Sequence, residues 1–325
     1  MNTSQHTDLR IGVKAMFPHF DIVCIGDYFF DLIYTGLPEF PELGREVYSQ
    51  DVTSTGGAMF ITTTSLRRLG VKVGWPAIFG TDSYSHFVKE LAQQEGIDLS
   101  LIKEIPCPYR RITTSLPLHG ERAFVTYVDQ EPEERDAHRL HSLDRCTFDH
   151  LHVGGLHTLE QLPDLLKIAK ERGATTSTDC QDVPQLYRSS CEWRELLRYV
   201  DIFMPNMREA MMITHREDAR DAIRRLLEWV NIVVVKDGAN GAWVGRADEV
   251  IHVPAFKTGT VVDTTGAGDC FNAGFLYGYL IEKAPLDQCL RYGNICGGCS
   301  VTGVGGATAA PTHDQLLTHT AYYSD

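Results

Sequence analysis

The chain has 325 residues, 43% hydrophobic and 22% charged, values of a folded globular protein that exclude a disordered or fibrous class. Asp and Glu outnumber Lys and Arg by 43 to 30, and the resulting net charge of -13 argues against a nucleic-acid surface. No apolar run reaches the length of a membrane span, and nine cysteines without an export signal ahead of them read as reduced thiols of a cytoplasmic protein.

Residues 1–19 are polar and mixed and read as an N-terminal extension, followed by one domain over 20–325. "DIVCIGDYFFDLIY" predicts a buried strand over 22–25, a turn at Gly26 and an exit past Asp27 and Asp31. Pro, Gly and alternating residues over 38–54 suit strands outside the main core, an excursion ended by Gly56 and Gly57. "AMFITTTSLRRLG" carries small and apolar residues at helical spacing and stops at Gly70. Next come a short strand near "KVGWPAIFG", a helix over 83–95 and a second β segment, "ITTSLPLHGERAFVTYV", turning at His119–Gly120. From residue 150 strands and helices alternate, from "HLHVGG" through "TTSTDC" and "DIFMPN" to "NIVVVKDG". Such alternation predicts an α/β fold, a parallel sheet with helices on both faces. The two β excursions, about 32–55 and 108–129, then form a small sheet that serves as a lid over a cleft. Cys296 and Cys299 form C-x-x-C with no second pair or histidine at zinc-site spacing, so they read as small residues packed in a helix.

"VVDTTGAGDCFNAGF", residues 261–275, sets Gly266, Ala267 and Gly268 where a β-branched run hands over to a helix, and follows them with Asp269. The first N–H groups of a helix lack intrahelical partners and, with the helix dipole, make an anion site. Small residues let a phosphate approach it. Asp269 stands beside that site, placed to take a proton from an attacking hydroxyl, although an aspartate there also caps helices.

These residues resemble the ribokinase family, also called the PfkB carbohydrate kinases, over residues 21 to about 315. "VDTTGAGDCFNAGF" is similar to its C-terminal signature, "TGGAMFITTTSLRRLG" to its N-terminal one, "FGTD" to a turn between them, and "PNMREA" supplies N-x-x-E as Asn206 and Glu209. The resemblance implies a ribokinase-like, doubly wound, mostly parallel sheet with a small β lid. It implies ATP and Mg²⁺ as cofactors, Asp269 as catalytic base and the amides of Gly266, Ala267 and Gly268 as the anion hole. Asn206 and Glu209 would organise Mg²⁺ through water. Lys236 and Gly238 of "VVVKDGANGA", Thr265 and Asn294 would line the ATP site. Family members often bind a monovalent cation through positions matching Asp263, Thr265, Ser300, Gly303 and Gly305. Ala309 stands where some have a serine ligand, which leaves K⁺ dependence open.

On the acceptor side Asp31 matches the aspartate that receives sugar hydroxyls, with Asp27 on the same exit and Gly56 and Gly57 beside them. Phe29 and Ile61 stand where the family often has asparagines, which makes the pocket more apolar. Hydroxyl recognition could then move to Arg110, Arg111, Thr113 or the Arg122 region, and the paired arginines suggest an acidic group on the substrate. The reading is an ATP-dependent kinase acting on an alcohol group of a small sugar or sugar-derived substrate. Alternatives are a nucleoside kinase on the same fold and a non-catalytic binding protein. A homodimer through the lid is implied by the resemblance, and no nucleic-acid or membrane partner is expected.

Overall fold

The structure is a computed structural model, and it describes residues 17–118, 121–181, 189–257 and 259–323. Most of the N-terminal extension and the expected His119–Gly120 turn therefore lie outside the described residues, as does the side chain of Arg122.

The chain opens with β1 (His19–Ile25), β2 (Tyr28–Thr35) and β3 (Asp51–Ala58), then α1 (Met59–Arg68), β4 (Val73–Gly74), β5 (Ile78–Phe79) and α2 (Ser83–Gln94). After β6 (Lys103–Glu104), β7 (Arg111–Leu118) and β8 (Glu121–Val128) come α3 (Arg135–Asp144), β9 (Thr147–Val153), α4 (Leu156–Gln161), α5 (Leu165–Glu171) and β10 (Thr175–Asp179). Then follow α6 (Ser190–Leu196), β11 (Ile202–Met204), α7 (Met207–Thr214), α8 (Ala219–Leu226), β12 (Ile232–Lys236), β13 (Ala242–Arg246) and β14 (Glu249–Val253). The chain closes with α9 (Ala267–Leu276), α10 (Leu286–Ser300) and α11 (His313–Tyr322).

The main sheet runs β14-β13-β12-β11-β10-β9-β1-β4, parallel from β12 to β4 and antiparallel at the β12-β13-β14 end. Its central strands are apolar on both faces, "IVVV" in β12 and "IVCI" in β1, because helices cover both. Two hydrophobic clusters result. One packs Ile22, Val234 and Met204 against α1, α9 and α10; the other packs Val23, Val233 and Phe203 against α4 to α8. Cys296 and Cys299 are buried in α10, and burial pushes their thiols up.

The small sheet has the order β3-β2-β7-β8. Between β2 and β3 residues 36–50 form no strand, so the excursion is shorter than the alternation of "LGREVYSQDV" suggests. Instead β3 runs through Gly56 and Gly57, whose pairing with Phe30 and Phe29 carries the sheet up to the start of α1. "FGTD" is a structural joint. Asp82 caps α2 through the N–H groups of Tyr84 and Ser85, and accepts from the Tyr109 N–H at 2.8 Å, tying α2 to the start of the β7–β8 hairpin.

Candidate active site

The parallel strands β1, β9, β10, β11 and β12 end on one edge, the edge where open α/β sheets form their clefts. α9 starts above it. Its N-cap Gly266 has φ +68°, and a Cβ there would lie 2.6 Å from Ile61 Cδ1 and 2.7 Å from Gly306 Cα, so only glycine fits. Gly268 differs: a Cβ there would make only ordinary contact with the Lys236 side chain, Nζ being nearest at 3.6 Å, so its backbone is not crowded. The Cys270 N–H is the first to bond back into the helix, to Gly266 O at 2.9 Å, and the Ala267 N–H makes only a long contact, 3.4 Å, to Thr264 O. The turn therefore presents the positive end of α9 to the cleft.

Asp269 lies half-buried in the first turn of α9 and accepts a hydrogen bond from Thr62 Oγ1 at 3.2 Å. Burial, then the charge of Asp179, push its carboxyl up to about 7, against the pull of Lys236 and Thr62. Lys236, at the end of β12, is no loose surface lysine. Its Nζ sits 2.6 Å from Asp179 Oδ2 and 3.3 Å from Asn272 Oδ1, while Asn272 Nδ2 also donates to Asp179 Oδ2 at 2.6 Å. Asp179, at the end of β10, and Asn272, one helical turn past Asp269, were missed from sequence. Signals existed: an aspartate ending a buried parallel strand, and an i+3 position on the face of α9 that carries Asp269.

Beside the turn a cavity of about 490 Å³ is lined by Lys236, Gly238, Ala267, Gly268, Phe271 and Asn294 among others, a size that suits a nucleotide. Asn294 works as a strut in its wall: its Nδ2 donates to Val253 O, Pro254 O and Tyr323 Oη at 3.2, 2.9 and 3.1 Å. Asn206 and Glu209 form a capping box on α7. Asn206 Oδ1 accepts from the Glu209 N–H at 2.9 Å, and Glu209 Oε2 from the Asn206 N–H at 2.7 Å. Asn206 also bridges to Lys236, which keeps the box at the same edge.

On the other side of the turn, one face of the small sheet carries Phe29 and Asp31 from β2, Thr55 and Gly57 from β3, and Arg111 and Thr113 from β7. Asp31 is 8% exposed, and its carboxylate lies on Gly57, where a Cβ would come within 2.2 Å of Oδ2. Burial, then the charges of Asp269 and Asp263, push it up to about 7. Gly56 serves packing, since a Cβ there would meet the Phe60 ring. Thr113 Oγ1 meets Thr126 Oγ1 at 3.2 Å.

Three expectations are corrected by these contacts. Asp27 does not wait for a hydroxyl: it takes Arg139 at 2.6 Å and Arg111 at 3.2 Å. Arg111 offers no spare charge to an acidic substrate, being paired also with Glu131 at 2.8 Å and laid over the Phe29 ring at 4.9 Å, while Arg110 pairs with Asp129 at 2.9 Å. Ile61 is 1% exposed and presses on Gly266 and Gly306, so it backs the anion-site turn instead of lining the acceptor pocket.

Asp263 ties two loops together. Its Oδ1 accepts from the N–H and hydroxyl of Thr265 at 2.9 and 2.8 Å, and its Oδ2 from the Gly305 N–H at 2.9 Å. Ser300 Oγ donates to Gly297 O at 2.8 Å, and Gly303 packs against Ala309.

The family model of pfkB family carbohydrate kinases matches residues 19–313. A cytidine kinase of Thermococcus kodakarensis is 31% identical over 283 residues, 84% of this chain and 93% of the relative. An uncharacterized sugar kinase of Archaeoglobus fulgidus is 30% identical over 234 residues, 70% of this chain and 91% of the relative. Among solved structures, a putative ribokinase II from E. coli in complex with ATP and Mg²⁺ superposes with a TM-score of 0.75 at 22% identity, covering 94% of this chain and all of that one. Among the described residues no helix is long and apolar enough to cross a membrane.

Proposed function

The chain belongs to the pfkB family of carbohydrate kinases, and on that premise we propose that it transfers the γ-phosphoryl group of ATP to an alcohol group of a small polyol, with Asp269 as general base. The observation that carries this reading is the position of Asp269: half-buried, at the N-terminus of α9, between a nucleotide-sized cavity and the face that holds Asp31. In the reaction the acceptor O–H gives its proton to the Asp269 carboxylate, the oxygen forms a bond to the γ-phosphorus, and the bond to the β-phosphate oxygen breaks to release ADP. Negative charge on the transferred group meets the N–H groups of the Gly266–Gly268 turn, whose donors are already aligned. Lys236, fixed by Asp179 and Asn272, would bind the phosphates beside Gly268, with Gly238, Thr265 and the wall braced by Asn294 around the nucleotide.

Mg²⁺ would supply neutralisation of the phosphate oxygens. The oxygen donors of Asn206 and Glu209 suit a hard cation held through its own water, because their cap on α7 keeps them at the strand edge. Asp263, Thr265, Ser300, Gly303 and Gly305 would hold a monovalent cation; equal rates in K⁺ and Na⁺ would remove that part of the proposal. The domain extends over 20–325, preceded by the extension of residues 1–19. The segments about 32–55 and 108–129 act as its lid, the protein works in the cytoplasm, and two copies join through the small sheet.

The acceptor is read as uncharged, since Arg110 and Arg111 are engaged with carboxylates. A second reading, a nucleoside acceptor, is favoured by Phe29 on the acceptor face and by the similarity to the cytidine kinase. ADP release measured against a panel of sugars, sugar acids and nucleosides separates the two. Asp269→Asn should lower turnover by about 10²- to 10⁴-fold with ATP still bound; unchanged turnover would remove Asp269 from the role of base.

A further inference from the structure

α1 contains four consecutive hydroxyl residues, Thr62, Thr63, Thr64 and Ser65, all buried. Thr63 behaves as helical threonines usually do: its hydroxyl bonds back to Met59 O and Phe60 O at 2.9 and 3.0 Å. Ser65 Oγ meets Cys270 Sγ at 3.2 Å, which knits α1 to α9. Thr62, with no exposed surface, sends its hydroxyl across to Oδ1 of Asp269 at 3.2 Å. Among the described residues it alone donates a side-chain hydrogen bond to that carboxylate.

We infer that Thr62 is a positioning residue for the base: by holding Oδ1 it fixes the plane of the Asp269 carboxylate and leaves Oδ2 as the oxygen that receives the acceptor's proton. The inference rests on the reading of Asp269 as base. An aspartate's terminal torsion is broad, so a half-buried carboxylate without an anchor exchanges its two oxygens and loses aim. Thr62 supplies the anchor from a helix whose neighbour Ile61 also backs Gly266, so one turn of α1 sets both the base and the anion site. The donated bond favours the ionised form, as does Lys236, against burial and the charge of Asp179.

Thr62→Val keeps the shape and removes the hydroxyl; Thr62→Ala removes it without added volume; Thr62→Ser retains it. In full-length protein with ATP and the best acceptor, the first two should lower kcat about 10-fold with the KM for ATP unchanged. They should also move the acid limb of kcat/KM up by about half a pH unit or more, and Thr62→Ser should restore both. A residue that only packs would lower thermal stability and leave the limb where it is. Valine and alanine variants with the native limb and native kcat would overturn the inference. If no acceptor is turned over, the function itself fails, and the carboxyl ¹³C resonance of Asp269 followed against pH still decides: an upward shift in Thr62→Val supports the contact, and no shift refutes it.

Discussion

Two carboxyls at this site, Asp269 and Asp31, are both pushed up to about 7. The charge of Asp269 is one cause of the Asp31 shift, and a pairwise repulsion of this kind must act back on Asp269 by linkage. A base must be ionised to act, so kcat/KM should rise with pH and level off above about 7. Asp31→Asn removes one of the like charges and should move that acid limb to lower pH; a limb that stays put would mean the two carboxyls do not sense each other. The same shifts bear on stability with the opposite sign to a salt-bridged carboxylate. Because the folded state holds these protons more tightly than the unfolded chain, their contribution is fully present below about pH 4 and is lost as pH rises through about 7. Asp31→Asn and Asp269→Asn should therefore melt higher than the native protein at pH 8, by on the order of 1 kcal/mol, and lose most of that advantage at pH 4. Equal melting differences at both pH values would contradict the burial of ionised carboxyls. Such a site trades stability for function.

At the scale of elements, the small sheet and α1 are joined at Gly57 and the short step into the helix. The Asp31 carboxylate occupies the space a Cβ would need, so Gly57→Ala must displace it. The expected result is a loss of acceptor affinity of at least tenfold with near-native affinity for ATP, measured by titration calorimetry; native acceptor binding would show that Asp31 is not part of that pocket. The cap on α7 is local in the same sense. Asn206→Ala removes an N-cap acceptor and should cost about 1 kcal/mol in denaturant unfolding. The strand and helix alternation after residue 150 was legible because buried parallel strands are short apolar runs between amphipathic helices. The β13–β14 hairpin, α3 and α4 were not: the strands and α4 are short, and α3 turns Arg135, His138 and Arg139 inward, Arg135 pairing with Glu131 and Arg139 with Asp27.

On the scale of the whole molecule, the β8 edge strand leaves apolar side chains exposed on both faces, Val125 and Tyr127 on one and Phe124 and Val128 on the other, unusual for the rim of a small sheet. Sedimentation should give a species of about twice 36.4 kDa, reduced to the monomer by Val125→Glu with Tyr127→Glu; a native monomer would dismiss the interface. By itself the sequence determined the fold class, the glycine turn and the carboxylate of Asp269 beside it, the candidate for the base. Those depend on local spacing, with small residues at a helix start, one carboxylate after them, and apolar periods on either side. Only the tertiary structure decided which charges remain available. Asp179 and Lys236 lie 57 residues apart and Thr62 and Asp269 lie 207 apart, yet each pair is in contact, while Arg111 and Asp27 neutralise each other. Contacts made by folding distant strands onto one edge leave no mark in the spacing of residues, and the acceptor side consists of such contacts.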